Sequence, residues 1–570
     1  MENGRPIGPD AEALWAVAQG GGPGAALAAR RAAALWEPTA PAQARRALAL
    51  AVQLAPLDPA PRLGLARLAA EAGDLEAARA EATAVLSGGA APLVKARAAF
   101  LLGDLARANG ATADARSAFA QTMKLAETVM NVDRGDPHAA RWYARARGRT
   151  AELDAGTGDL ARAKAGAEGA LSMLQAAAVQ LTETPELAAD IADAELRLGA
   201  LELDANQPSS ARRRFREAIG RYEALAVTEK NEPHWRAILS DAWALAAEAD
   251  YARGAADAAR DAMDKSLQAR LRLAANDPSE AWALAGTWRV RAALRAALGD
   301  NTAAAESMQQ ARALAEQLHS SDRFAEQPAH FLVHTLLDQS DHALRAGELH
   351  VAGEAADEAR ALAESFAAMK DASAAWLADA SACWDRMGEI ARAGRKPAQD
   401  AFARAVEMRR MAYERARDDL RHARGLAAAL VKQGDTALEA GDNVTARAAF
   451  SESMTLRLKL LQASPEDRTA VHALAVALER LGLAAKALGD LGAARDAWEE
   501  ELTLAFRLFE PNDLEGLRFC AIIESHLAQA GGPDAEAHRS AALERFDVLA
   551  KAGVLTDREA AVRKKLWGGA

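Results

Sequence analysis

LLGDLARANGATADARSAF, running from Leu101 to Phe119, carries the pattern that decides the fold. Gly110 stands at its centre, with Leu102-Gly103 before it, Ala115 five positions after it and Phe119 nine positions after it. Similar text returns around Gly73, Gly158, Asn206, Gly254, Gly299, Gly347, Gly394, Gly441 and Gly489. From Gly73 through Gly110 to Gly489 the spacings are 37, 48, 48, 48, 45, 48, 47, 47 and 48 residues. A fixed period in this range marks a solenoid, whose units bury their apolar faces against their neighbours.

The same positions within each unit repeat their chemistry. Five residues after the turn stand Ala78, Ala115, Ala163, Ala211, Ala259, Ala304, Ala352, Ala446 and Ala494. Only the Gly394 unit slips register, and its Arg395-Lys396-Pro397 reads as an insertion. Nine residues after the turn stand Phe119, Phe215, Met263, Met308, Phe450 and Trp498. Leu102-Gly103, Leu198-Gly199 and Leu481-Gly482 precede the turn. Small residues let two helix backbones approach, and a large side chain fills the space beside them. Abundant Ala, Leu, Arg and Glu with only 5% aromatic residues favour helix nearly throughout.

Each unit therefore reads as an antiparallel helix hairpin. The first helix opens after a polar break such as Asp136-Pro137, Glu232-Pro233, Asp277-Pro278 or Ser464-Pro465. It closes at a glycine suited to the left-handed C-cap, often followed by an Asp that caps the second helix. Pro59, Pro61 and Pro92 mark helix starts, where the missing N–H has no partner to lose.

The Leu-Gly and Ala-x-x-x-Phe signature at Leu102-Gly103 with Ala115 to Phe119, at Leu198-Gly199 with Ala211 to Phe215, and at Ala446 to Phe450 resembles the tetratricopeptide repeat (TPR) family. The resemblance spans about residues 45–550. It departs in length. The family unit is about 34 residues, and most units here are about 13 longer, roughly two extra turns or about 10 Å per helix. The chain is similar to the long-helix TPR arrays of bacteria, often linked to signalling ATPases or caspase-like proteases. The Pro233–Trp235 and Pro278–Trp282 spacings strengthen that similarity.

The resemblance implies an all-α, right-handed α-solenoid of about eleven stacked antiparallel helix hairpins, a TPR-like superhelix with a concave groove lined by first-helix side chains. Counted back from each turn, the lining is Arg97, Asp104 and Arg107; Arg145 and Glu152; Asp241, Glu248 and Tyr251; and His334, Asp338 and Asp341. These polar residues in Ala- and Leu-rich helices suit recognition of a protein or peptide partner, with some electrostatic steering.

The expected organisation is N-terminal helices and a flexible Gly/Pro linker over 1–41, short TPR-like repeats over 42–132, long repeats over 133–511, and a C-terminal repeat with a capping helix over 512–570. Short helices are expected at Ala11–Gln19 and Ala25–Trp36, separated by the Gly20–Gly24 run. Thr556 with Glu559 reads as a capping box opening the last helix. Cys383 and Cys520, the only two cysteines, read as buried small hydrophobes. Trp142, Trp235, Trp282 and Trp376 near first-helix starts, and Trp243, Trp288 and Trp384 further in, read as packing between repeats. Trp142 and Trp235 are expected to be partly exposed.

The net charge of −11 and only short basic runs, such as Arg212-Arg213-Arg214 and Lys564-Lys565, argue against nucleic acid as the partner. Residues Met1 to Asp10 lack the order of a secretory leader, and no segment has the length and apolarity of a membrane span, so a cytoplasmic setting is expected. The sequence has no phosphate-binding loop, HExxH or GxSxG pattern, so no enzymatic activity and no cofactor are expected. His330, His334, Asp338 and His342 form a stripe at i, i+4, i+8 and i+12, but the stripe drifts around the helix and cannot bring all four to one ion. No metal is expected there.

The resulting functional expectation is a non-catalytic scaffold or adaptor holding a protein or peptide in its groove, in a bacterial signalling or defence complex. The alternative is a peptide- or small-ligand-sensing regulator whose superhelix changes shape on binding. A site built from dispersed residues such as the His330–His342 stripe is a further rival.

Overall fold

The computed structural model describes residues 10–37, 40–156, 160–180, 184–228, 232–370, 372–417, 419–463, 468–509 and 513–568. Gly158, Ser464 and Pro465 lie outside them. The described residues form helices and their connections, with no strand. The chain divides into two compact units, Met1–Leu294 and Arg295–Ala570.

The first unit opens with α1 (Ala11–Gln19), α2 (Ala25–Trp36), α3 (Pro41–Leu54), α4 (Pro59–Glu71) and α5 (Leu75–Ser87). It continues with α6 (Pro92–Ala108), α7 (Thr112–Met130), α8 (Pro137–Gly156) and α9 (Leu160–Gln180). Next come α10 (Pro185–Asp204), α11 (Pro208–Thr228), α12 (Glu232–Ala252) and α13 (Ala256–Ala274). A 3-10 turn at Pro278–Glu280 leads into α14 (Ala281–Ala297), within which the boundary between units falls. The second unit holds α15 (Asn301–Ser321), α16 (Glu326–Arg345), α17 (Leu349–Ala367), α18 (Ala374–Ala393) and α19 (Gln399–Arg415). It ends with α20 (Leu420–Glu439), α21 (Asn443–Ala463), α22 (Arg468–Ala487), α23 (Leu491–Leu508), α24 (Leu514–Ala530), α25 (Ala535–Lys551) and α26 (Asp557–Trp567).

The turns follow from their residues. Gly73, Gly110, Gly254, Gly299, Gly347, Gly441 and Gly489 have φ between 72° and 81°, and Asn206 has φ 56°. After α4, Asp74 N–H donates to Ala69 O at 2.9 Å and Gly73 N–H to Ala70 O at 3.1 Å, the paired closure of a left-handed C-cap. The Asp74 carboxylate then accepts from Ala77 N–H and starts α5. Asp300, Asp442 and Asp490 repeat this capping.

The Gly394 unit departs from expectation. Gly394 itself has φ −79°, and Arg395 takes the left-handed position at φ 53°. Counted from Arg395, the buried Ala398 and Phe402 arrive two positions earlier than their counterparts elsewhere. The slip is thus a shortening after the turn and not an insertion of Arg395-Lys396-Pro397.

Packing within hairpins matches the small-against-large reading. Every alanine five positions after the turn is at most 2% exposed, as are Phe119, Phe215, Met263, Met308, Phe450 and Trp498. A Cβ on Gly103 would lie 2.5 Å from Phe119, one on Gly199 2.6 Å from Phe215, and one on Gly482 2.3 Å from Trp498. Gly434 against Phe450 and Gly388 against Phe402 repeat the contact without a preceding leucine. Gly103 lies seven residues before its turn and Phe119 nine after it, so the two helices run antiparallel.

Consecutive helices pack as hairpins from α2/α3 to α12/α13 in the first unit and from α16/α17 to α24/α25 in the second. Each unit is an α-solenoid of stacked antiparallel hairpins. First helices also meet the next first helix directly: α4 with α6, α6 with α8, α8 with α10, α10 with α12, and α16 with α18, α18 with α20, α20 with α22. From α5 onward no second helix among the described residues comes comparably near the next second helix. First helices α4 to α12 in the first unit, and α16 to α22 in the second, therefore each form a continuous layer.

At the N-terminus, α1 packs on α2, with the Trp15 and Trp36 rings 5.8 Å apart. At the other end Thr556 and Glu559 form the expected capping box on α26. Cys383 and Cys520 are buried and free. Trp376 is fully buried, whereas Trp142, Trp235, Trp243, Trp282, Trp288 and Trp384 are half-buried. No helix among the described residues is long and apolar enough to cross a membrane.

Candidate functional site: the first-helix layer

Polar side chains of neighbouring first helices meet across the repeats. In the first unit this creates a ladder of charge. Asp104 on α6 meets Arg107 at 3.5 Å and Arg149 of α8 at 3.1 Å. Arg149 continues to Glu152 at 3.0 Å. Glu152 receives Arg197 of α10, which also holds Asp193 at 2.8 Å. Asp193 accepts from the Tyr222 hydroxyl of α11 at 2.6 Å. Beside this line, Arg141 and Arg145 of α8 both reach Asp190 of α10, Arg145 at 3.4 Å.

The electrostatics follow from burial and pairing. Burial works against the charge of Arg197, but Asp193 and Glu152 hold its pKa above the ordinary value. Burial likewise opposes the Asp193 carboxylate, and Arg197 with the Tyr222 hydroxyl holds it below the usual range. Arg97 is different. Desolvation lowers it, and the positive charges of Arg141 and Arg67 lower it further. It sits 5.7 Å from the Trp142 ring centroid, while Arg145 lies 4.4 Å from Trp142 and 4.7 Å from Phe100. Arg97, Arg141, Arg145 and Trp142 thus form a cationic, aromatic surface beside the ladder, over the buried Phe100. A cavity of about 10 Å³ behind it, lined by Arg145, Arg149, Asp190 and Arg197, has room for about one water.

The second unit has its own ladder. Asp341 of α16 accepts from Arg386 of α18 at 2.8 Å, and Arg386 reaches Glu389 at 2.9 Å. Lys432 of α20 bridges Glu389 at 2.8 Å and Asp385 at 3.5 Å. Arg480 of α22 reaches Asp435 of α20 at 2.9 Å. Nearer the helix starts, Asp379 of α18 lies between two histidines of α16: His330 Nδ1 at 2.6 Å and His334 Nε2 at 3.4 Å.

The structure brings Asp104, Arg107 and Glu152 into one network and sets Arg145 and Arg97 beside it. Asp241, Glu248 and Tyr251 sit apart on α12. Asp241 accepts from Arg270 of α13 at 2.7 Å, while Glu248 and Tyr251 are exposed. His334 joins Asp379, and Asp341 joins Arg386. The stripe does not converge: of its four members only His330 and His334 share a centre, and their third partner, Asp379, comes from the next hairpin.

The partners that sequence reading missed are Arg141, Arg149, Asp190, Asp193, Arg197, Asp379, Arg386 and Lys432. A signal for them existed. Most lie 43 to 49 residues from the opposite charge they meet, about one repeat. Searching for complementary charges at the repeat spacing would have found them.

No protein-family model matches the chain. No curated protein is similar to it in sequence. Solved structures similar in fold include RapI in its apo form, at 12% identity and TM-score 0.43, with 71% of this chain and 98% of that chain covered. Yeast Tom70 stands at 15% identity and TM-score 0.41, covering 88% of this chain and 96% of its own. BtubC from P. vanneervenii stands at 20% identity and TM-score 0.36, covering 45% of this chain and 93% of its own.

Proposed function

We propose that the protein is a non-catalytic scaffold that holds a protein or peptide segment against its first-helix layer. The observation that carries this reading is the Arg97–Trp142–Arg145 surface. There, the exposed Arg97 and the Trp142 ring gather with Arg141 and Arg145, two cations that share the single carboxylate of Asp190. An exposed cation flanked by other cations is costly to keep, and an anionic or carbonyl-rich segment laid across it would relieve that cost. Half-buried tryptophans offer the flat apolar contact that anchors interfaces. The proposed contact residues are Arg97, Asp104, Arg107, Arg145, Glu152, Asp241, Glu248, Tyr251, His334, Asp338 and Asp341. The long helices, 19 to 21 residues in most units, keep the resemblance to bacterial long-helix TPR arrays. A caspase-like protease or a signalling ATPase is therefore the first partner class to test, in a cytoplasmic setting.

Affinity capture with the intact chain, read by mass spectrometry, tests the proposal. The triple variant Arg97→Glu, Asp104→Arg, Arg107→Glu should lose the protein that the wild type retains. Undiminished recovery of that protein would place the contact elsewhere.

A further inference from the structure

Two imidazoles and one carboxylate converge where α16 and α18 meet. His330 and His334 stand one helical turn apart, so their rings share a face of α16. Asp379 enters from α18, one hairpin further along. The candidate donor atoms of the three residues all lie within 4.8 Å of one another. His334 Nε2 and an Asp379 oxygen are 3.4 Å apart. Two ligands of a tetrahedral zinc ion with bonds near 2.0–2.1 Å are separated by about 3.3 Å.

The surroundings fix this group in place. Trp376 is fully buried and stacks on the His330 ring, with centroids 3.5 Å apart and planes 10° apart. Phe366 stacks in turn on Trp376, with ring centroids 4.3 Å apart. Asp379 is 8% exposed, whereas His334 is exposed. The centre is therefore walled by aromatic rings on one side and open on the other. Histidine pairs at i, i+4 with a carboxylate are the donor set of zinc and related divalent metals.

We infer that His330, His334 and Asp379 form a binding site for a divalent transition-metal ion, with zinc the best match to the donors. The ion takes one nitrogen from each histidine and one oxygen from Asp379. It replaces the hydrogen bond between His330 and Asp379, and the neutral His330 ring keeps its one N–H on the nitrogen that does not bind the ion. The fourth position faces solvent, open to water or to a donor from a bound partner. Three ligands from two hairpins make the ion a clip between adjacent repeats. This departs from the sequence expectation of no metal, because Asp379 lies 49 residues from His330 and outside the stripe.

Metal titration of the untagged, chelator-stripped full-length protein tests the inference, with zinc and cobalt as the probes. The expected result is one tightly held equivalent per chain, cobalt giving the absorption bands of a tetrahedral nitrogen–oxygen site. Zinc should also raise the melting temperature of the wild type. His334→Ala, which removes an exposed ring and no core packing, should lose the stoichiometric equivalent and the thermal shift. Asp379→Asn should do the same, with helical content checked by circular dichroism. His350→Ala, on the exposed face of α17, should bind as the wild type does. Absence of a stoichiometric equivalent in the wild type, or unchanged affinity in folded His334→Ala, would overturn the site.

Discussion

Gly482 and Trp498 show how much one methyl group decides in this chain. The indole occupies the space that a Cβ would need, 2.3 Å away. Gly482→Ala should therefore cost about 1–3 kcal/mol through overpacking. Gly353, in the interior of α17, has no atom within 4 Å of a built Cβ. Gly353→Ala should instead gain about 0.4–1 kcal/mol by restricting the unfolded chain. Denaturation midpoints of the two variants should move in opposite directions. A second residue-scale effect concerns Glu501, buried on α23. Burial, reinforced by Glu479 and opposed by Arg480, pushes its carboxyl up to about 9. A carboxyl that binds its proton more tightly when folded favours the folded state at low pH. That contribution is complete below the ordinary value of 4.5 and is lost as pH rises to about 9. Glu501→Gln, neutral at every pH, should flatten the decline in stability across that window. An unchanged decline would contradict the buried neutral acid.

Between elements, the ladders tie each first helix to the next. Arg197 joins α10 to Glu152 of α8 across one repeat. A double-mutant cycle on Glu152→Ala and Arg197→Ala, read by urea denaturation, should show a coupling of about 0.5–3 kcal/mol. Additive losses would mean the pair does not join the helices. The hairpins themselves were legible in the sequence because turn, alanine and aromatic recur in fixed order. Each has a local physical cause: a left-handed turn, a close approach, a filled gap. The Gly394 unit was misread because Arg395, not glycine, takes the left-handed position. The ladders were harder to read. Asp379 and Asp190 look like ordinary surface acids until the repeat spacing sets them against His330 and Arg141. The expected contact residues were placed by counting from turns, which assigns a helix position but not the side-chain partners one repeat away.

For the whole molecule, contacts run between neighbours, so stability is a sum of hairpin and interface contributions. Long arrays of this kind lose all-or-none unfolding. Hydrogen exchange should accordingly show Gly482→Ala weakening protection in α20 to α24 while leaving α6 to α10 unchanged. Uniform loss along the chain would indicate one cooperative block. The proposed contact surface lies on the first helices of the first unit, where Arg97, Trp142 and Arg145 gather. Photo-crosslinking in cell extract tests that location most directly, with the reactive group placed in turn at Arg97, Arg107, Lys124 and Arg213. The first-helix positions Arg97 and Arg107 should capture the same partner, and the exposed second-helix positions Lys124 and Arg213 should not. Capture from Lys124 or Arg213 alone would contradict binding on the first-helix layer.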